Sequence, residues 1–180
     1  FIHPFDGPLT LQGSATLGLE IVEYLKSINI KIDNLLISVG GGGLISGVSS
    51  YIKQFYPKIK IIGVEPENAN GLNQSFRANK PLNNVNVNSI ADSLSAPLHM
   101  QYSFDVAKEV IDEMVTVSDD QMKEFMVFCY KKFKLFLEPA CVAGLAALKY
   151  KINNELIGQN TMVILCGSNI DKKTWLNLTN

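Results

Sequence analysis

Along the chain the spacing of apolar positions changes several times, and each change marks an element. From Ser14 to Ser27, Ala15, Leu19, Val22 and Leu25 recur at helical spacing, which predicts an amphipathic helix. Leu35–Val39 is instead a continuous apolar run between Asp33-Asn34 and a row of glycines, the pattern of a strand buried on both faces. Leu44–Tyr56 returns to helical character and stops ahead of Pro57. Lys58–Val64 predicts a second strand, closed by Glu65-Pro66. Strand, glycine loop, helix and strand form a βαβ unit, whose crossover is almost always right-handed and whose strands run parallel.

Asn68–Asn88 holds eight asparagines and little periodicity, so it reads as loop with at most a short helix over Leu72–Ala78. Met114–Val117 predicts a strand. Ser118 and Gln121 then have the spacing of a capping box, opening a helix that runs to about Lys134. Pro139 suits the first position of a helix reaching about Tyr150. Met162–Cys166 predicts a further buried strand, followed by Gly167-Ser168-Asn169. Residues 1–180 are expected to form a single α/β domain, a three-layer twisted, mainly parallel sheet with helices on both faces.

Composition narrows the function classes. The 180 residues are 47% hydrophobic and 18% charged, with a net charge of −1, so nothing in the charge balance draws the chain to nucleic acid or anionic lipid. The longest weakly polar run, Leu35–Val48, is broken by Ser38 and the four successive glycines Gly40–Gly43 and is too short to span a bilayer. No signal peptide is visible, and a cytoplasmic location is the default expectation. Three cysteines, Cys129, Cys141 and Cys166, lack paired spacing and fit a reducing compartment better than a disulfide framework. His3 and His99 lie far apart and read as ordinary loop residues. Phe1 opens the sequence within a polar-aromatic stretch without an initiating methionine, and a longer parent polypeptide is expected.

The strongest chemical signal is Ser38-Val39-Gly40-Gly41-Gly42-Gly43-Leu44. Successive glycines let a turn direct its amides at an anion with no β-carbon in the way. The helix beginning near Leu44 adds its positive end. A tight turn free of side chains is the plainer reading. A nucleotide P-loop would need Gly-Lys-Ser/Thr, and Leu44-Ile45-Ser46 differs. A dinucleotide fingerprint would place glycine third where Ile45 or Ser46 stands, although Glu65 ends the next strand where a ribose-binding acid would lie.

With its neighbours, this loop resembles the phosphate loop of fold-type II pyridoxal-phosphate enzymes, the group of threonine dehydratase, serine dehydratase and serine racemase. Similar segments follow in that family's order. They are His3-Pro4-Phe5-Asp6 with Gly13-Ser14-Ala15-Thr16, Gly63-Val64-Glu65-Pro66, Ile90-Ala91-Asp92-Ser93, Leu137-Glu138-Pro139-Ala140 and Leu165-Cys166-Gly167-Ser168-Asn169. The likeness spans nearly the whole chain and implies its large, C-terminal phosphate-binding portion.

The resemblance implies that pyridoxal 5'-phosphate is held by Gly40, Gly41, Gly42, Gly43 and Leu44, with Cys166 against the ring nitrogen and Glu138 near the ring. A neutral thiol cannot stabilise a pyridinium as a carboxylate would, which suits β-elimination, where a leaving group departs and less charge needs delocalising. For Glu138, a carboxylate at a helix start is an equal alternative. For Cys166, the alternative is a buried structural cysteine. Some members bind a divalent cation through a glutamate, a carbonyl and an aspartate. Glu65 and the carbonyl of Ala69 match the first two, but Gly71 stands in the aspartate's place, which weakens such a site. Asp92 reads as a turn-stabilising residue.

No segment matches the family's serine-x-lysine motif, and lysines such as Lys131, Lys132 and Lys134 look like solvated helix faces. The Schiff-base lysine is therefore expected upstream of Phe1, and the chain alone is expected to be inactive. The parent enzyme would eliminate water from L-threonine or L-serine, giving ammonia and a 2-oxo acid. Its partner would be an amino-acid substrate, with a homo-oligomer compatible and no nucleic acid or membrane. Alternatives are a serine racemase-type activity, a non-catalytic or split-subunit assembly module, and a dinucleotide-binding domain.

Overall fold

Four strands, β1 (Asn34–Ser38), β2 (Lys60–Pro66), β3 (Glu113–Val117) and β4 (Thr161–Val163), pair in the order β3-β2-β1-β4. This is a computed structural model, and it describes residues 1–179. All three pairings are parallel, with Asn34 facing Lys60 on one side and Thr161 on the other. Successive side chains of a strand point to opposite faces. Leu35 and Ile37 accordingly enter one apolar cluster and Leu36 the other; Ile61 and Ile62 divide in the same way. Both faces are covered, which is why the β1 region reads as a continuous apolar run.

On the first face lie α1 (Pro8–Ile28), α2 (Gly43–Phe55), α3 (Gly71–Ala78) and α4 (Gln101–Val110). On the second lie α5 (Asp119–Phe133), α6 (Pro139–Tyr150) and α7 (Lys172–Thr179). The three-layer expectation holds. The Ser118 hydroxyl accepts from the Gln121 amide while the Gln121 side chain accepts from the Ser118 amide, and Pro139 opens α6. The first helix starts six residues earlier than its apolar period suggests, because Pro8 at its first turn needs no amide partner. The last strand is shorter than expected: β4 ends at Val163, Ile164 adds one bond to the Leu36 carbonyl, and Cys166 falls in the loop beyond. The sequence did not mark α4, which follows an uncapped Met100, or α7, in which only Trp175 is buried.

The strand order creates a crevice. The chain steps outward from β1 to β2 to β3, then returns to lay β4 on the other side of β1. The helix after β1 packs on one face and the helix after β4 on the other. Beyond the carboxyl ends of β1 and β4 the backbone therefore parts, and ligands of open α/β sheets bind at such switch points.

Candidate functional site

The crevice is a cleft of about 480 Å³. One wall is the turn Ser38–Leu44 after β1, and another is the segment Asp92–Pro97. Glu138 and Cys166 close the far side, and Pro4 and Phe5 reach in from the amino-terminal segment. Each glycine of the turn has its own reason to be there. A β-carbon on Gly40 would sit 2.8 Å from the Ser93 carbonyl oxygen. One on Gly41 would fall inside the Phe5 ring, and one on Gly43 would lie 2.8 Å from the Phe5 backbone. Gly42 has φ of +93°, which side chains rarely tolerate. Three close approaches and one left-handed turn explain the run.

The turn's hydrogen bonding is incomplete. Among the described residues, the amides of Gly40, Gly41 and Gly42 meet no acceptor. The first turn of α2, starting at Gly43, contributes amides that no helix can satisfy internally. On the same wall the buried Ser38 hydroxyl is also without a partner. An orphaned buried donor costs roughly 1–3 kcal/mol, so several converging on one cleft indicate an anionic acceptor. A phosphate group fits this donor set, since it offers several acceptor oxygens and charge opposite to the helix end.

The far wall is held by Glu138. Its Oε1 accepts from the Ser93 hydroxyl at 3.1 Å and its Oε2 accepts from the Asn169 amide at 2.8 Å, while its own amide donates to the Gly167 carbonyl. Although it stands at the N-cap position of α6, its side chain makes no capping bond there. It ties the Asp92–Pro97 segment to the loop after β4. Gly167 is required beside it, because a β-carbon there would be 2.5 Å from Oε1. Cys166 is exposed towards the cleft, and partial burial, helped by the Glu138 charge, raises its thiol pKa. The thiol therefore stays protonated near neutral pH.

Glu65, for which the resemblance implied a metal role together with the carbonyl of Ala69, is engaged with backbone amides. The Glu65 side chain is fully buried, and its two oxygens accept from the amides of Leu72 and Asn73 at 2.8 and 2.9 Å. These two bonds tie it to the first turn of α3. Among the described residues there is no group of three or more potential metal-ligating side chains. Asp92 accepts from the Ser93 amide at 2.8 Å and is exposed, as a turn residue would be. His99, expected to be an ordinary loop residue, is buried beneath the glycine turn, with Nε2 3.1 Å from the Gly40 oxygen. Sequence reasoning also passed over Ser93 and the placement of Phe5; both lay inside motifs already recognised, but neither carried a chemical signal of its own. Among the described residues no lysine lines the cleft, and none is buried.

Comparison with known proteins identifies the family. The model of a family described as "Pyridoxal-phosphate dependent enzyme" matches residues 1–167. The phenylserine dehydratase of Ralstonia pickettii is 41% identical over 175 residues, covering 97% of this chain and 52% of that protein. The processed form of threonine deaminase isoform 2 from Solanum lycopersicum superposes with a TM-score of 0.90 at 34% identity, covering 99% of this chain and 51% of that one. Maize serine racemase superposes with a TM-score of 0.85 at 30% identity, covering 98% and 53%. The chain spans about half the length of these proteins.

Proposed function

Because the chain belongs to the pyridoxal-phosphate dependent enzyme family, we propose that its cleft is the phosphate-holding side of a threonine/serine dehydratase-type active site. The reaction would remove water from a 2-hydroxyalkyl amino acid and yield a 2-oxo acid and ammonia. The observation that carries this reading is the set of acceptor-less amides at Gly40–Gly42, set at the amino end of α2 on the sheet's switch point.

When bound, the cofactor supplies the electron sink that lets an amino acid lose its α-proton and its β-hydroxyl. The chain's own groups divide the remaining work. Amides from Gly40 to Leu44 would hold the phosphate, with no β-carbon on Gly40 to Gly43 to stand between them and the cleft. Cys166 would offer a neutral thiol to the ring nitrogen, able to hydrogen-bond it without stabilising a full positive charge. Glu138, anchored by Ser93 and Asn169, fixes the spacing between the two walls and orients the loop that carries Cys166. The lysine that forms the imine is proposed to lie outside these residues, which act as one unit of a larger active site.

Titration with pyridoxal phosphate and with pyridoxal tests the reading. The phosphate ester should bind at least ~10-fold more tightly, about one charge-assisted hydrogen bond's worth. L-threonine or L-serine should give no 2-oxo acid with this chain alone, and borohydride should trap no adduct on its lysines. Equal affinity for the two compounds, or a reducible lysine adduct, would overturn the proposal. A racemase reading of the same site draws support from the likeness to maize serine racemase; it predicts interconversion of serine enantiomers by the complete enzyme.

A further inference from the structure

We infer that His99 is a positioning residue for the glycine turn: its Nε2–H holds the Gly40 carbonyl and thereby aims the Gly41 amide into the cleft. This rests on the turn being a phosphate seat. Gly40 and Gly41 have wide backbone freedom, so the peptide plane between them can rotate cheaply unless something anchors it. Its bond is trans, as are all the described peptide bonds, so C=O and N–H point in opposite directions. The carbonyl faces His99, which does not line the cleft, whereas Gly40 and Gly41 do. Fixing the oxygen behind the turn fixes the amide in front of it.

His99 is itself held firmly. It is 4% exposed, and its amide donates to the Leu82 carbonyl at 2.7 Å. The ring lies so close to α3 that a β-carbon on Gly71 would meet Cε1 at 2.5 Å. That helix end is the one Glu65 secures through the Leu72 and Asn73 amides. A carbonyl can only accept, so Nε2 carries the proton, and Nδ1 is buried without a partner. An unpartnered ring nitrogen is costly in a core that an aliphatic side chain would fill. Burial also lowers the pKa of the ring, which agrees with a neutral donor.

His99→Leu removes the donor, while His99→Gln can place an amide nitrogen near the position of Nε2. Binding of inorganic phosphate, pyridoxal phosphate and pyridoxal would be measured on the full chain, with glycine ¹⁵N labelling to follow the Gly41 amide. Expected for His99→Leu is a ~10-fold loss for both phosphate ligands, little change for pyridoxal, and loss of the phosphate-induced shift at Gly41. His99→Gln should restore affinity to within ~3-fold of the original. Equal phosphate affinity in His99→Leu, or an equal loss for pyridoxal, overturns the inference. If His99→Leu fails to fold, imidazole ¹⁵N shifts of the unsubstituted protein decide: protonated Nε2 supports the inference, and protonated Nδ1 overturns it. Failure of the unsubstituted protein to bind phosphate at all is a separate result, which removes the phosphate seat and this role with it.

Discussion

A carboxylate cut off from solvent is costly to keep charged, and Glu65 illustrates both the cost and the use. Burial pushes its pKa up to about 8, against the pull of the two α3 amides. The unfolded group titrates near 4.5, so between these values the folded chain holds more protons. Stability from this residue is therefore greatest below the unfolded pKa and declines as pH rises through the folded one. Melting curves should show the unsubstituted protein losing stability relative to Glu65→Gln between about pH 5 and about pH 8. A parallel response of the two proteins would refute this. At Gly41 the expectation is steric. Gly41→Ala places a methyl inside the Phe5 ring, so denaturant unfolding should register a loss of about 1–3 kcal/mol together with weaker phosphate binding.

Helix-to-helix contact depends on similar close approaches. Where α1 crosses α2, Gly18 lies under the Val48 carbonyl and Gly47 under the Leu11 carbonyl, so the two backbones nearly touch. Gly47→Val should cost at least ~1–3 kcal/mol, measured by chemical denaturation, because the atom in the way is backbone and cannot rotate aside. Ser118→Ala should cost about 1 kcal/mol through loss of the cap on α5. At this scale the sequence was partly legible. The continuous apolar run Leu35–Val39 marked β1, Lys58–Val64 ahead of Glu65-Pro66 marked β2, and the Ser118/Gln121 pair and Pro139 marked two helix starts, because those signals are local. By contrast α4 begins at Gln101 behind Met100, which offers no side-chain cap, and only Trp175 of α7 is buried, so neither announces itself. The contacts Gly40–Ser93, Glu138–Asn169 and His99–Gly40 join segments distant in sequence, and no local pattern encodes them. The glycine turn was readable because four successive glycines are a local signal. Its supports were not.

Across the whole molecule, binding and stability are linked, since a ligand that occupies only the folded cleft shifts the unfolding equilibrium. Pyridoxal phosphate at about 100 times its dissociation constant should add roughly 2.7 kcal/mol, visible as a rise in Tm. Inorganic phosphate should do the same at higher concentration, and no rise with either would contradict an anion site. Among the described residues no helix is long and apolar enough to cross a membrane.

The placement of β4 beside β1 also sets a timetable. Asn34 and Thr161, hydrogen-bonded across the two strands, are 127 residues apart, whereas β1, β2 and β3 join near neighbours in order. Closing so long a loop is slow, so the glycine turn should take shape early and wait for its opposite bank. The sole tryptophan, Trp175, rests on Phe136 and donates to the Leu137 carbonyl, making its fluorescence a clock for the arrival of the carboxyl end. In stopped-flow refolding, cofactor capture should rise together with that signal and never ahead of it. On the proposed reading, a chain halted at Tyr150 would keep the glycine turn yet lack Cys166, and so should hold the cofactor's phosphate without its ring contact.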